Sequence, residues 1–339
     1  YTLLNTIVVY GYGGFLVMKG SLSIGSLVAF AIYQGRVFGP LQGLMDGFLA
    51  MQKAKVAINR VKEILDVQPA FQENGHIELS KDALKGEIAV ENISFAYEAE
   101  EPVLNNLSFQ IPAGKITAIV GPSGVGKTTI CHLLMRLFDP NAGMVALDGV
   151  DLKAFKIESL RNQIALVSQD TFLFHSTILE NIRYSKPKAG EEEIIEAAKA
   201  ACIHDYIRTL PDQYQTVVGD RGVRLSGGQK QRISIARAIL MEPRILILDE
   251  ATAFLDTSAE EQLKKTIHLL MRGKTIIVIS HRLSSIQGVD KIIALEKEGI
   301  VYEGPSAAYF HNWNNGSAGI SKPFRVLSRD VRSLACKIS

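Results

Sequence analysis

The stretch Gly121-Pro122-Ser123-Gly124-Val125-Gly126-Lys127-Thr128 decides the fold of this 339-residue chain. It matches the pattern G-x-x-x-x-G-K-[ST], in which glycines let backbone N–H groups surround a phosphate. The residues before it, Ile116-Thr117-Ala118-Ile119-Val120, are mostly β-branched, and residues 129–137 after it have helical spacing. A strand, a glycine-rich loop and a helix in this order predict a phosphate-binding loop in an α/β fold.

The residue types in this loop suggest separate roles towards a nucleotide and its cation. We expect Lys127 to bridge the terminal two phosphates and the Thr128 hydroxyl to coordinate Mg²⁺. An ordinary glycine-rich turn is the alternative interpretation. The residues predicted to bind the nucleotide here are Gly121, Ser123, Gly124, Gly126, Lys127, Thr128 and Thr129.

An acidic pair follows a second apolar run, in which Ile245-Leu246-Ile247-Leu248 leads into Asp249-Glu250. A continuous apolar run is typical of a strand buried on both faces of a parallel sheet, and open α/β sheets bind ligands at the carboxyl ends of such strands. Asp249 suits the outer shell of Mg²⁺. Glu250 suits a general base that orients or deprotonates the attacking water, a role that contributes about 10² to 10⁴ in rate. The alternative is an acidic pair that starts a helix, with Thr252 as its cap.

A third motif, Leu225-Ser226-Gly227-Gly228-Gln229, starts twenty residues before the apolar run. A serine at the head of a helix, with two glycines beside it, presents free backbone N–H groups and the positive end of the helix dipole. Such a helix start can bind phosphate. The chain therefore carries two predicted phosphate-binding elements.

Together these motifs resemble the nucleotide-binding domain of ATP-binding cassette (ABC) transporters, over residues 86–310. The resemblance implies an α/β P-loop NTPase fold, with an antiparallel β subdomain and a helical subdomain, that binds ATP and Mg²⁺. It also implies that Gln169 reaches Mg²⁺ and the attacking water, that His281 contacts the γ-phosphate, and that Tyr97 stacks on adenine. Base stacking of that kind contributes about 1–3 kcal/mol. The implied catalytic residues are Glu250, His281, Gln169 and Lys127, and the implied metal ligands are Thr128, Gln169 and Asp249.

The resemblance further implies that each ATP lies between two nucleotide-binding domains. The partner's ATP would then contact Ser226, Gly227, Gly228 and Gln229, and Asp256 would cross the dimer seam. Hydrolysis would require this dimer; the intact catalytic set favours a homodimer, and a heterodimer stays open. Residues 216–222 resemble a loop that exporters place before the third motif, with Asp220 where Glu is usual. Ala253-Phe254 departs from the family's common Ser-Ala, which bears on coupling between the two sites.

The first 66 residues differ in composition from the predicted ATPase domain, because they contain two long apolar stretches with few charged residues. No charged residue occurs in residues 1–18, and residues 22–51 contain only Arg36 and Asp46. Each stretch is long enough to cross a bilayer, so we expect two transmembrane helices, the second from near Ser26 to about Asp66. A buried globular helix pair is the alternative. The basic cluster after the second stretch predicts, by the positive-inside rule, that the ATPase is cytoplasmic; the cluster comprises Lys53, Lys55, Arg60 and Lys62.

This organisation predicts four segments and an incomplete membrane domain. They are the last two transmembrane helices of an exporter at 1–66, a linker at 67–85, the ABC ATPase at 86–310 and a basic tail at 311–339. The partners expected for the first segment are a lipid bilayer and the preceding membrane helices, which this chain lacks. Arg36 would lie near the membrane midplane, where a charge faces a polar cavity or an acidic partner. It either lines the translocation path or pairs with a residue on a missing helix.

Charge and cysteine content exclude several other classes of protein. The net charge is +2 with basic and acidic residues interleaved, so no nucleic-acid partner is expected. The three cysteines form neither a disulfide framework nor a metal-site pattern. The predicted function is ATP-driven export of an unidentified substrate by an integral membrane protein of the cell membrane. The alternatives are a soluble ABC-type ATPase acting on nucleic acid, which leaves the apolar stretches unexplained, and a non-pumping channel or sensor, which usually has a defective catalytic set.

Overall fold

The computed structural model describes residues 6–67, 75–80, 84–98, 101–251, 266–267, 271–281, 286 and 288–314. The chain divides into two compact units, Tyr1–Ala70 and Phe71–Ser339. The predictions for Ala253-Phe254 and for Asp256 lie outside the described residues, as does most of the predicted tail.

The first unit consists of helices. A π-helical segment, Ile7–Tyr12, continues into helix α1 (Gly13–Met18). Helix α2 covers Ile24–Leu65, and the hydroxyl of Ser23 caps it by accepting a hydrogen bond from the N–H of Ser26. Its 42 residues correspond to a length of about 63 Å at 1.5 Å per residue. The long second helix predicted from the sequence is therefore present, with bounds within two residues of those expected.

Two membrane spans were expected in this unit. Within the described part of the chain, no helix reaches the combination of length and hydropathy that a membrane crossing requires. The segment Ile7–Tyr12 and α1 have six residues each. In α2 the apolar residues alternate with several glycines and with Gln34 and Arg36.

The second unit contains two β-sheets. The four-stranded sheet is antiparallel and has the order β2-β1-β4-β5, with β1 at Ile88–Ala96, β2 at Pro102–Ile111, β4 at Ala142–Leu147 and β5 at Val150–Asp151. The six-stranded sheet has the order β10-β9-β3-β8-β7-β6, with β3 at Ile116–Val120, β6 at Ile164–Val167, β7 at Ile245–Asp249, β8 at Thr275–Ser280, β9 at Lys291–Glu296 and β10 at Gly299–Pro305. Its neighbours pair in parallel from β6 to β9, and β10 pairs antiparallel with β9.

Seven α-helices of this unit are described with both of their ends. They are α3 (Lys127–Leu134), α4 (Ile157–Arg161), α5 (Ile178–Arg183), α6 (Glu191–Ala200), α7 (His204–Thr209), α8 (Gly227–Met241) and α9 (Ser306–Asn314). Local chemistry sets several of their ends. Helix α5 starts where the Thr177 hydroxyl accepts a hydrogen bond from the N–H of Glu180. Helix α6 starts with three glutamates and has Lys199 in its last turn, which complements the helix dipole at both ends.

Two large clusters of buried side chains hold the unit together. One joins the antiparallel sheet and α3 to the central parallel strands, for example through Phe109, Ile130 and Ile247. The other packs α5, α6 and α8 against β6 and β7, for example through Ile182 and Ile233. The antiparallel sheet thus packs against the parallel sheet through the first cluster, and the helical part packs against it through the second. This is the predicted α/β fold with its antiparallel and helical subdomains.

The structure bears on two of the predicted segment boundaries. Ile77, inside the predicted linker 67–85, forms a parallel β-bridge with Phe155, so this part of the predicted linker belongs to the second unit. Helix α9 runs through to Asn314, so the predicted boundary at residue 310 falls inside a helix. The bridge has no local sequence pattern, because it joins residues that are 78 positions apart in the chain.

Candidate active site

The parallel sheet brings four chain segments to one edge. Its registers pair Val120 with Ser280, Asp249 with Ile279, and Leu248 with Val167. Parallel strands end at the same edge of their sheet, so the residues that follow them are neighbours there. The phosphate loop, Glu250, His281 and Gln169 each begin within two residues of a strand end at this edge.

The glycines of the phosphate loop give its backbone a shape that other residues would resist. Gly126 has φ +99°, and a Cβ atom there would lie 2.4 Å from Cδ2 of the buried Leu104. Gly124 has φ +79°, and a Cβ atom there would meet no atom within 4 Å. The loop therefore packs tightly against β2 at Gly126 and is open at Gly124. Helix α3 begins directly after Gly126, which directs its first N–H groups into the loop.

Lys127 is buried inside this loop. Its ammonium donates hydrogen bonds to the carbonyl oxygens of Gly121 and Pro122, both at 2.8 Å. Burial lowers the pKa of Lys127, and the carboxylates of Glu250 and Asp249 oppose that shift. The positive charge is thus held within the loop that was predicted to bind phosphates.

Thr128 and Asp249 meet on the same side of the loop. The Thr128 hydroxyl donates to Oδ2 of Asp249 at 3.2 Å. Burial raises the pKa of Asp249, and this hydrogen bond opposes the shift. Within the described ranges, no cluster of three His, Cys, Asp or Glu residues could hold a metal ion without other ligands. A hydroxyl and one carboxylate fit Mg²⁺, which typically uses one or two carboxylates together with substrate phosphates and water.

Glu250 has an unusual backbone and a direct side-chain partner. Its φ of +49° is uncommon for a residue other than glycine, and such conformations concentrate at functional sites. Its N–H donates to the carbonyl oxygen of Ile279 at 3.0 Å. Its Oε1 lies 2.7 Å from Nδ1 of His281, and the side chain is 14% exposed. The backbone contact to β8 and the contact with His281 fix the carboxylate at the sheet edge.

Gln169 lies at this edge but is exposed. Among the described residues, no hydrogen bond joins its side chain to Glu250, His281 or the phosphate loop. Its role towards Mg²⁺ and water stays a prediction.

Ser226 starts helix α8 in a separate part of the unit. Its hydroxyl accepts from the N–H of Gln229 at 3.3 Å, and its own N–H donates to Oε1 of Gln229 at 2.8 Å. This reciprocal capping box fixes the helix start. Ser226 and Gly227 are exposed, while Gly228 and Gln229 are half-buried. No hydrogen bond between described residues joins this helix start to the phosphate loop.

Tyr97 lies against helix α3. Its hydroxyl donates to Oγ1 of Thr129 at 3.2 Å and lies 2.8 Å from Nδ1 of His132. Phe95 and Phe138 contact its ring edge-to-face, and 48% of Tyr97 remains exposed. An exposed ring beside the phosphate loop is compatible with the predicted base stacking.

Sequence reasoning missed two polar residues near the site, His132 and Gln231. His132 follows Thr129 by three residues, so both lie on one face of α3. Gln231 is 1% exposed, and its Nε2 donates to the carbonyl oxygen of Glu250 at 3.4 Å. The spacing of the helix could have identified Gln231 as a buried polar residue, because it precedes Ile235 by four residues and so lies on the same buried face of α8.

Comparison with known proteins agrees with this geometry. Residues 104–253 match the family model described as ABC transporter. The ATP-dependent lipid A-core flippase of Syntrophus aciditrophicus is 44% identical over 294 residues, covering 86% of this chain and 48% of the flippase. ABC transporter B family member 1 of Arabidopsis thaliana is 42% identical over 311 residues, covering 90% of this chain and 24% of that protein.

A solved structure is also similar. The structure of a bacterial Atm1-family ABC exporter with ATP bound superimposes with a TM-score of 0.76 at 34% sequence identity. The match covers 94% of this chain and 57% of the exporter chain. This chain therefore spans about half the length of that exporter and of the flippase.

Proposed function

Since this chain belongs to the ABC transporter family and carries its ATP-binding domain, we propose that it binds ATP with Mg²⁺ and hydrolyses it to drive export of a substrate across a membrane. The observation that carries the proposal is the 2.7 Å contact between Oε1 of Glu250 and Nδ1 of His281. This contact holds a carboxylate and a polar partner at the sheet edge that also presents Lys127 and the Thr128–Asp249 pair, which supports a general-base role for Glu250.

Each side chain has a defined task in this reaction. Lys127 stabilises negative charge on the phosphates, because its ammonium is already held in the loop by two carbonyl oxygens. Thr128 and Asp249 are the residues that would hold Mg²⁺, which when bound supplies further stabilisation of phosphate charge. Glu250 orients the attacking water and accepts its proton, and His281 keeps the carboxylate in place.

The second phosphate-binding element serves ATP bound to a partner. Ser226 and Gly227, at the start of α8, are exposed, and no described hydrogen bond joins Ser226 to the chain's own phosphate loop. A helix N-terminus of this kind suits a phosphate that arrives from outside. ATP therefore binds between two nucleotide-binding domains, and we favour a homodimer because one chain supplies all catalytic residue types.

The first unit belongs to a membrane domain in this proposal. No residue of α2 is buried within the chain, although the helix is rich in large apolar residues such as Phe30, Phe38 and Leu44. Such a surface requires lipid or further helices as neighbours. One relative is named as a lipid A-core flippase, and the similar solved structure is that of an ABC exporter. We therefore place residues 1–66 in an exporter membrane domain of the cell membrane, with the ATPase domain in the cytoplasm and Arg36 facing either the translocation path or a partner helix.

The test is ATP hydrolysis by the full chain with Mg²⁺, comparing wild type with Glu250→Gln. Glutamine keeps the size of the side chain but cannot accept the proton, so we expect hydrolysis to fall about 10²- to 10⁴-fold while ATP binding remains. The variant should also accumulate as an ATP-bound dimer. The matched control is Glu192→Gln, an exposed carboxylate in the first turn of α6, which should leave the rate unchanged. Hydrolysis at the wild-type rate in Glu250→Gln would remove Glu250 from its role.

A further inference from the structure

The hydroxyl of Tyr97 contacts two side chains of helix α3. It donates to Oγ1 of Thr129 at 3.2 Å and lies 2.8 Å from Nδ1 of His132. A phenol has only one hydrogen to donate. If that hydrogen goes to Thr129, the contact with His132 is satisfied when Nδ1 carries a hydrogen and donates to the phenol oxygen. One histidine tautomer thus completes a chain of hydrogen bonds from His132 through Tyr97 to Thr129.

The position of these partners links the ring to the phosphate loop. Thr129 is buried and directly follows Thr128, the predicted Mg²⁺ ligand. His132 lies one turn further along the same face of α3, and the helix starts at the loop itself. The Tyr97 hydroxyl is therefore attached to the element that also presents Lys127 and Thr128.

The orientation of the ring is fixed as well. Phe95 contacts it with centroids 4.9 Å apart at 87°, and Phe138 with centroids 5.2 Å apart at 90°. Both are edge-to-face arrangements, which aromatic pairs prefer. The Tyr97 hydroxyl is hydrogen-bonded and its ring packs against Phe95 and Phe138, yet 48% of the residue stays exposed to solvent. The exposed part is available to a planar ligand beside the phosphate loop.

We propose that His132 is a positioning residue for the nucleotide base. It acts through Tyr97: the hydrogen bond holds the stacking ring at a fixed distance from the phosphate loop, so base and phosphates bind in one pre-arranged geometry. This inference rests on the proposed function, because it assumes that the site takes ATP. Pre-arranging a binding surface raises affinity without new contacts to the ligand. His132 therefore contributes to the KM for ATP and little to kcat.

The experiment measures kcat and KM for Mg²⁺-ATP on the full chain carrying His132→Leu, His132→Asn or Tyr97→Phe. Losing one hydrogen bond should raise the KM of His132→Leu about 3- to 10-fold with kcat nearly unchanged. Tyr97→Phe also removes the hydrogen bond to Thr129, so it should raise the KM at least as much. The double variant Tyr97→Phe/His132→Leu should add little beyond Tyr97→Phe, because His132 acts through the same hydroxyl. Asparagine places an amide near the position of Nδ1, so His132→Asn should restore most of the affinity.

A second measurement separates base positioning from damage to the helix. Inorganic tripolyphosphate has the phosphates of ATP but no base, so its inhibition constant should be the same for wild type and His132→Leu. The matched control is His204→Leu, which removes a similar contact, Nδ1 to the Tyr214 hydroxyl at 2.8 Å, away from α3. It should leave the KM for ATP unchanged.

The inference is overturned if His132→Leu leaves the KM unchanged in a chain that hydrolyses ATP. It is also overturned if the variant weakens tripolyphosphate inhibition as much as ATP binding, which would indicate a disturbed α3. If wild type neither binds nor hydrolyses ATP, the proposed function fails first and the inference with it.

Discussion

The side-chain amide of Gln231 donates to the backbone carbonyl of Glu250 at 3.4 Å. Gln231 lies on α8, five residues after the Ser226 that caps this helix, and it is 1% exposed. The helix proposed to bind the partner's ATP is thereby joined to the residue proposed to activate water in the chain's own site. A link of this kind lets the two ATP sites of a dimer influence each other.

We expect Gln231→Leu to lower kcat about 3- to 10-fold with little change in KM for ATP, since it removes one hydrogen bond that restrains the peptide of Glu250 at φ +49°. The measurement is steady-state ATP hydrolysis by the full chain. Gln215→Leu, at an exposed position, is the control and should behave as wild type. An unchanged kcat in Gln231→Leu would show that the other contacts of Glu250 hold it sufficiently.

Complementation between variants tests whether the Ser226 helix acts on the partner's ATP. Ser226→Arg blocks one phosphate-binding element and Lys127→Met the other, so each variant alone should be nearly inactive. Co-expressed chains form mixed dimers in which one site combines an intact phosphate loop with an intact Ser226. A measurable fraction of the ATPase rate should return. No recovery in purified mixed dimers would contradict a shared site.

The burial of Asp249 predicts that replacing its carboxylate stabilises the fold but removes activity. Its folded-state pKa is raised above the unfolded value, so the ionised carboxylate destabilises the fold at neutral pH. This cost shrinks once the pH falls below the folded-state pKa and is gone below the unfolded-state pKa. Asp249→Asn should therefore raise the melting temperature at neutral pH in the presence of a chelator and abolish hydrolysis. The stabilisation should shrink towards acidic pH.

Asp212→Asn, at an exposed position, is the control for this melting experiment and should show no such pH dependence. A lower melting temperature for Asp249→Asn at neutral pH would mean that the hydrogen bond from Thr128 outweighs the cost of burial.

The packing of Gly126 predicts a steric requirement in the loop. Alanine there would strain a φ of +99° and bring Cβ within 2.4 Å of Cδ2 of Leu104. Gly149→Ala is the matched control, because Gly149 has a φ of +82° and a Cβ atom added there would meet no atom within 4 Å. Both share the backbone strain, so the clash should cost Gly126→Ala about 1–3 kcal/mol more in free energy of unfolding. It should also weaken ATP-dependent thermal stabilisation; equal effects at both positions would exclude the clash.

Local patterns in the sequence were enough to predict much of this site. The glycine spacing of residues 121–128, the apolar run before Asp249 and the serine and glutamine of the capping box at Ser226 each act over a few residues. Their chemistry is set by backbone freedom, strand burial and helix ends, which neighbours in the chain control. The predicted fold class followed from them and is confirmed by the two sheets and the helical part.

Other features needed the fold. The contacts of Tyr97 with His132, of Gln231 with Glu250 and of His281 with Glu250 join residues 35, 19 and 31 positions apart. Parallel strands determine which loop ends become neighbours, and no local pattern specifies the resulting distances. Composition alone predicted two membrane spans, whereas none of the described helices combines the length and the hydropathy that a membrane crossing requires. Residue types thus determined which chemistry the chain can perform, and the order of its strands decided which side chains meet, because contact depends on three-dimensional register rather than on spacing along the chain.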